Sequence, residues 1–226
     1  MRYGLIVLTM AFSGMVQATV IVPVVPATAP LPVSTVVSVP AVPAPIAQSP
    51  ADKAKLCASC HNKDGNSTVP AWPSIAGQSP KYFMEQLKAF KAGATGPRPN
   101  PVMEGILGPL SDEDLKELAN YFANQKVVVG ATPEAFVALG EQIYRGGNPK
   151  TGVPACAACH EARGAGNPLA GFPALSGQQP DYMIQQLNNF RAGLRKNDPN
   201  AIMQDIAKRM SDEEIKAVAN YVHGLH

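Results

Sequence analysis

Apolar side chains recur at helical spacing in two stretches a hundred residues apart. Leu115, Leu118, Ala119 and Phe122 mark one, and Ile215, Val218, Ala219 and Val222 mark the other. Each set is the buried stripe of an amphipathic helix. Ser111-x-x-Asp114 and Ser211-x-x-Glu214 precede them. These read as capping boxes, in which the hydroxyl and the carboxylate each accept a backbone N–H of the other residue. They predict final helices running to about Gln125 and about Gly224. Pro80 and Pro180 suit first helical residues, where the missing N–H has no intrahelical partner to lose, and Gly93 and Gly193 stop the helices they open. Thr132-Pro133 predicts a further helix to about Tyr144. No stretch alternates with period two for long enough to build a sheet, so the fold class is all-α.

The agreement between the two stretches extends along the chain. With a shift of 100, Trp72-Pro73 meets Phe172-Pro173, Gly77-Gln78 meets Gly177-Gln178, Phe90 meets Phe190, Met103 meets Met203 and Tyr121 meets Tyr221. Such self-similarity marks a duplication. It divides the chain into domains at 51–128 and 129–226, with the boundary near Lys126–Ala131.

The amino-terminal fifth belongs to neither copy. Arg2 precedes an apolar run from Leu5 to Met15, and Val16-Gln17-Ala18 provides small residues for cleavage after Ala18, so residues 1–18 read as a signal peptide. The alternative is an uncleaved anchor, since Leu5–Val25 is 21 mostly apolar residues, about one membrane span. Ser13, Gly14, Gln17 and Pro23 weaken that alternative. Residues 19–50 are rich in Val, Ala and Pro, with eight prolines and no charge. They suit a disordered linker or a stalk rather than a helix.

With 226 residues, 46% of them hydrophobic, the chain has room for two small domains. Formal charge is +2 and only 16% of residues are charged, which leaves no footprint for nucleic acid.

The chemistry lies in two pentapeptides, CASCH at Cys57–His61 and CAACH at Cys156–His160, which contain every cysteine in the chain. Cys-x-x-Cys-His is the attachment sequence of a c-type haem. The thiols of Cys57 and Cys60, and of Cys156 and Cys159, add to the vinyl groups of one porphyrin each, and His61 and His160 ligate the irons. Two covalent haem c groups are therefore expected, and aromatic residues at only 6% fit haem supplying flat apolar core. Zinc pairs usually recur within about 15–20 residues, whereas these are separated by 95. A structural disulfide would not explain the paired histidines.

A second axial ligand remains to be found. Beyond the motif histidines only His223 and His226 exist, both at the carboxyl end, and no cysteine is spare. Methionine is the remaining soft donor, and its ligation opposite histidine raises the haem potential. Met84 and Met183 lie on amphipathic helices, where methionine commonly packs, and Met210 has Leu110 as its counterpart. Met103 and Met203 are assigned instead, with His223 a poor rival at the second haem. The segment around Met103 is proline-rich and is expected to be a loop over the haem. Each axial histidine should donate its other N–H to a carbonyl, from Val69–Pro73 and Leu169–Pro173. Trp72 and Phe172 pack against porphyrin or in ordinary core. Lys81, Lys88, Lys91, Arg191, Arg195 and Lys196 form either a weak steering surface for partners or plain solvated helix faces.

Taken together, both CxxCH sites, GNSTVPAWPSIAGQ, GNPLAGFPALSGQ, YRGGNPKTGVPACAACH, MEGILGPLSDEDL and the terminal YVHGLH resemble the dihaem cytochrome c4 family, two fused class I cytochrome c domains, over about residues 50–226. The resemblance implies a periplasmic carrier of single electrons from quinol–cytochrome c oxidoreductase to haem–copper oxidases, with Met103 and Met203 at the family's distal positions. Some members are attached to the membrane, so an inner-membrane tether facing the periplasm is the alternative location. A permanent cytochrome subunit of a dehydrogenase or oxidase shares this chemistry and differs only in partners. A peroxidase-type enzyme needs an accessible or displaceable sixth position, which paired methionines disfavour; no enzymatic activity is expected.

Overall fold

A computed structural model describes residues 49–226. The expected signal peptide, and the Pro-rich segment up to residue 48, lie outside the described residues. The first half contains α1 (Pro50–His61), α2 (Pro80–Lys91), α3 (Pro101–Leu107) and α4 (Asp112–Ala123). The second contains α5 (Glu134–Glu141), α6 (Ala157–His160), α7 (Pro180–Arg191), α8 (Ile202–Arg209) and α9 (Asp212–His223). A π turn over Gln142–Gly146 prolongs α5 through Tyr144. Among the described residues, extended pairing is limited to two isolated bridges, Asn148 with Val153 and Asn167 with Phe172. The all-α expectation holds.

Capping explains where the helices begin. Ser111 Oγ accepts from the Asp114 N–H at 3.2 Å while the Asp114 carboxylate accepts from the Ser111 N–H at 2.9 Å. Ser211 and Glu214 repeat this at 3.2 and 2.8 Å. Both capping boxes form as the sequence predicts. Pro80 and Pro180 are first residues of α2 and α7, and Gly93 and Gly193 follow their ends with φ of 73° and 68°.

The segment around Met103 is a correction: it is not a loop. Pro101 occupies the first position of α3 and Asn100 caps it, its side chain accepting from the Met103 N–H at 3.0 Å. Proline at a first helical position loses no intrahelical bond, so a proline-rich approach still yields a helix. Met203 likewise lies in the first turn of α8. That helix is entered differently, through Asn200 and Ala201, both at a left-handed φ of 56°.

The predicted stripes form the two cores. Leu115, Leu118, Ala119 and Phe122 of α4 are buried against Ala54 of α1 and Phe83 and Leu87 of α2. Ile215, Val218 and Val222 of α9 are buried with Ile143, Tyr144 and Leu187. The halves differ in one respect. In the first, α1 both packs on α4 and carries Cys57, Cys60 and His61. In the second these tasks are divided: α5 and its π turn pack on α9, and the short α6 carries Cys159 and His160.

Lys53 fastens α1 to α4 through Asp114 and through Glu117 at 2.7 Å. Its hydrogen bond holds the Asp114 carboxyl below the ordinary value of 3.8, and the same contact raises Lys53 above its ordinary 10.5. A depressed carboxyl stabilises the fold above its unfolded pKa and loses that contribution as pH falls through the folded value. A raised ammonium contributes below 10.5 and loses it as pH rises through its folded value. The Lys53→Met variant is therefore expected to melt below wild type at pH 7, and the difference should shrink as pH falls below the ordinary carboxylate value of 3.8. Thermal unfolding followed by circular dichroism checks this; a pH-independent difference would contradict it.

Candidate functional site

The carboxyl end of α1 delivers Cys57, Cys60 and His61 together, and Asn62, at a left-handed φ of 60°, turns the chain away. His61 is buried, with Nδ1 2.8 Å from the Pro73 carbonyl oxygen. His160 is buried in the same way, with Nδ1 2.9 Å from the Pro173 oxygen. A carbonyl only accepts, so Nδ1 carries the proton in each ring and Nε2 keeps its lone pair. Burial also pushes both imidazoles below their ordinary value. At neutral pH each is therefore an uncharged ring with a free nitrogen, the form that ligates a metal. The partner carbonyls that the sequence left open are thus those of Pro73 and Pro173.

All eight residues singled out in the sequence, Cys57, Cys60, His61, Met103, Cys156, Cys159, His160 and Met203, line one cavity of about 780 Å³. Met183 and Met210 also line it, whereas Met84 and His223 do not. His223 instead places Nδ1 3.1 Å from the Gln178 oxygen. The remaining wall is largely apolar, including Phe83, Leu87, Phe90 and Leu118 from one half and Leu187, Phe190, Val218 and Val222 from the other. Trp72 and Phe172 line it too, with the Phe172 ring 6.1 Å from that of His160. No disulfide joins any of the four cysteines, which leaves each sulfur for a vinyl group of the porphyrin.

Where the halves meet, the cavity wall carries two buried cations that the sequence does not single out as a pair. Arg98 donates to Gln86 of its own half at 2.8 Å and across the interface to the Tyr182 hydroxyl at 2.6 Å and Gln186 at 3.1 Å. Arg195 reciprocates, donating to Gln186 at 2.9 Å and to Tyr82 and Gln86 of the first half at 2.8 and 3.0 Å. They stack over Phe90 and Phe190 at 4.2 and 4.4 Å. Every one of these partners is neutral. Tyr82, Gln86, Tyr182 and Gln186 do recur at the 100-residue shift, which was a usable signal. Arg98 and Arg195 are 97 apart and escape it.

Arg195 is thus removed from the expected steering surface. The other expected members are also largely engaged: Lys88 with Asp112 at 3.1 Å, Arg191 with Asp212 at 2.6 Å, Lys91 with the Leu110 oxygen and Lys81 with the Leu169 oxygen at 3.2 Å.

The donor chemistry fits haem. Among the described residues no cluster of three or more His, Cys, Asp or Glu is gathered to hold a bare metal ion. Each half brings a CxxC thiol pair and a buried imidazole with a free nitrogen to a mainly apolar wall, a donor set that suits a covalently attached porphyrin. Two buried guanidinium groups whose hydrogen-bond partners are all neutral would suit the anionic propionates of a haem.

The Cytochrome c family profile matches residues 53–126 and 137–226. Cytochrome c4 of Thiocapsa roseopersicina is 48% identical over 75% of this chain and 87% of its own length. Cytochrome c4 of Stutzerimonas stutzeri is 44% identical over 77% of this chain and 86% of its own. The crystal structure of reduced recombinant cytochrome c4 from Pseudomonas stutzeri superposes with a TM-score of 0.75 at 42% identity, covering 78% of this chain and 97% of that one.

Proposed function

The chain belongs to the cytochrome c4 family of dihaem electron carriers, and from that premise we propose that it carries single electrons between quinol–cytochrome c oxidoreductase and a terminal oxidase in the periplasm. In this reading, domains 51–128 and 129–226 each hold one haem. His61 and Met103 would ligate the iron of the first and His160 and Met203 that of the second. The carrying observation is that both CxxCH motifs and both matched methionines open onto one mainly apolar cavity.

The protein's part is to bind, orient and keep dry. Cys57 and Cys60, and Cys156 and Cys159, anchor the porphyrins. The Pro73 and Pro173 carbonyls orient the imidazoles and raise their basicity. Apolar walls exclude water, which together with thioether ligation favours a high potential. Arg98 and Arg195 would receive haem propionates at the junction of the halves. When bound, each haem supplies an iron that changes charge by one electron. Among the described residues no helix is long and apolar enough to cross a membrane.

Two measurements test this. The oxidised protein is expected to show the red methionine-to-iron charge-transfer band; high-spin ferric iron in a fresh sample would remove Met103 and Met203 as ligands. Mixed with isolated quinol–cytochrome c oxidoreductase and quinol, the protein should be reduced, and then be reoxidised by a haem–copper oxidase. Failure of either half-reaction would overturn the assignment of partners.

A further inference from the structure

We propose that Gln78 and Gln178 are crossed positioning residues, each belonging to one half but setting the axial histidine, and hence the haem potential, of the other. This rests on the axial roles given above to His61 and His160. Gln178 Oε1 accepts from the Ser74 N–H at 2.8 Å and its Nε2 donates to the Ser74 oxygen at 2.8 Å. Gln78 does the same to Ala174, accepting at 3.0 Å and donating at 3.1 Å. Ser74 and Ala174 directly follow Pro73 and Pro173.

The Ser74 N–H and the Pro73 C=O therefore belong to one planar peptide unit, and that C=O accepts the proton of His61 Nδ1 at 2.8 Å. A continuous line of polar bonds runs from the His61 ring, through the Pro73–Ser74 peptide, to a glutamine of the other half. Its mirror runs from His160 through Pro173–Ala174 to Gln78. Both glutamines are buried. Gly77 and Gly177 precede them at φ of 65° and 70°, where a Cβ would meet Val127 Cγ2 at 2.4 Å and the Val128 oxygen at 2.5 Å. Each Oε1 also accepts from the next N–H in its own chain, that of Ser79 at 3.0 Å or Gln179 at 2.9 Å, which fixes the amide's orientation.

Bonding at a peptide N–H polarises the attached carbonyl and strengthens it as an acceptor. A stronger acceptor makes the imidazole a better donor to iron and favours the oxidised state. Loss of the glutamine should act in the opposite sense, raising the potential of the opposite haem.

The test uses Gln78→Met and Gln178→Met, which keep side-chain volume, with haem-resolved redox titration by NMR. Gln78→Met is expected to raise the second haem's potential and leave the first in place; Gln178→Met should raise the first alone. A simple docking role predicts equal shifts or none, and either of those, or a shift confined to the mutated half, overturns the proposal. Native-state hydrogen exchange on the wild type is an independent check should a variant misfold. The Ser74 N–H and His61 Nδ1–H should open together, and independent opening overturns the proposal. Wild-type protein lacking two methionine-ligated haems would sink the functional reading itself, and this inference with it; intact haems without a crossed shift would sink this inference alone.

Discussion

Met103→Ala is expected to lower the potential of the first haem on the order of 0.1–0.2 V, within the roughly 0.8 V over which axial ligands tune haem proteins. Thioether sulfur favours ferrous iron. Removing it leaves water or a weaker ligand, which stabilises the ferric form, while the polar junction and the proximal bond from His61 to Pro73 are untouched. The second haem should shift far less, because Met203 sits on a separate helix, α8, with its own approach. Redox titration of the variant, with the two centres resolved, decides. An unaltered pair of potentials would reassign the ligand, and Met84 does not line the cavity to replace it. The Met203→Ala variant should give the converse pattern. There Met183 and Met210 also line the cavity, so the spectrum of that variant shows directly whether either can substitute.

Phe122→Ala is the change expected to cost most in stability, about 3–5 kcal/mol for a fully buried aromatic ring. Phe122 is 0% exposed at the centre of the first core. Its ring stacks on Phe83 with centroids 5.8 Å apart and meets Tyr121 edge-on at 5.1 Å. The void left behind has little freedom to close. Phe122's backbone oxygen receives the Gly77 N–H at 2.9 Å, and Gly65 lies so near the ring that an added Cβ would meet Phe122 Cδ1 at 2.9 Å. Against a total stability of about 5–15 kcal/mol for a folded domain, this loss is large. Chemical denaturation of the first haem's Soret band measures it, and a midpoint within experimental error of wild type would contradict the packing described. Because Phe122 does not line the haem cavity, the potential at neutral pH should move much less than it does in Met103→Ala.

Much of this molecule was open to reading from local rules. The capping boxes at Ser111 and Ser211 formed as written because their partners lie three residues away and no distant part of the chain competes for them. The stripes on α4 and α9 became the cores for the same reason, since helical period dictates which face is apolar before anything packs on it. The haem motifs were legible because thiols and imidazole must be adjacent in sequence to serve one ring. The prolines around Met103 point away from a helix by composition, although Asn100-Pro101 is itself a helix-opening pair. Charge alone carries no record of burial, so in sequence Arg195 looks like any surface cation, and only the neutral partners around it reveal its place.

By itself, then, the chain's order of residues determined the helices that caps and apolar stripes mark, the duplication and the two CxxCH attachment points. These depend on contacts within a few turns or on matching one copy to the other. Tertiary structure alone decided that Pro73 and Pro173 supply the carbonyls, that Arg98 and Arg195 face each other across neutral amides and phenols, and that Gln78 and Gln178 reach into the opposite half. Each of these pairings joins groups whose separation in the chain no local rule encodes. They exist because packing the two copies together buries polar backbone, and every buried N–H and C=O must then find a partner.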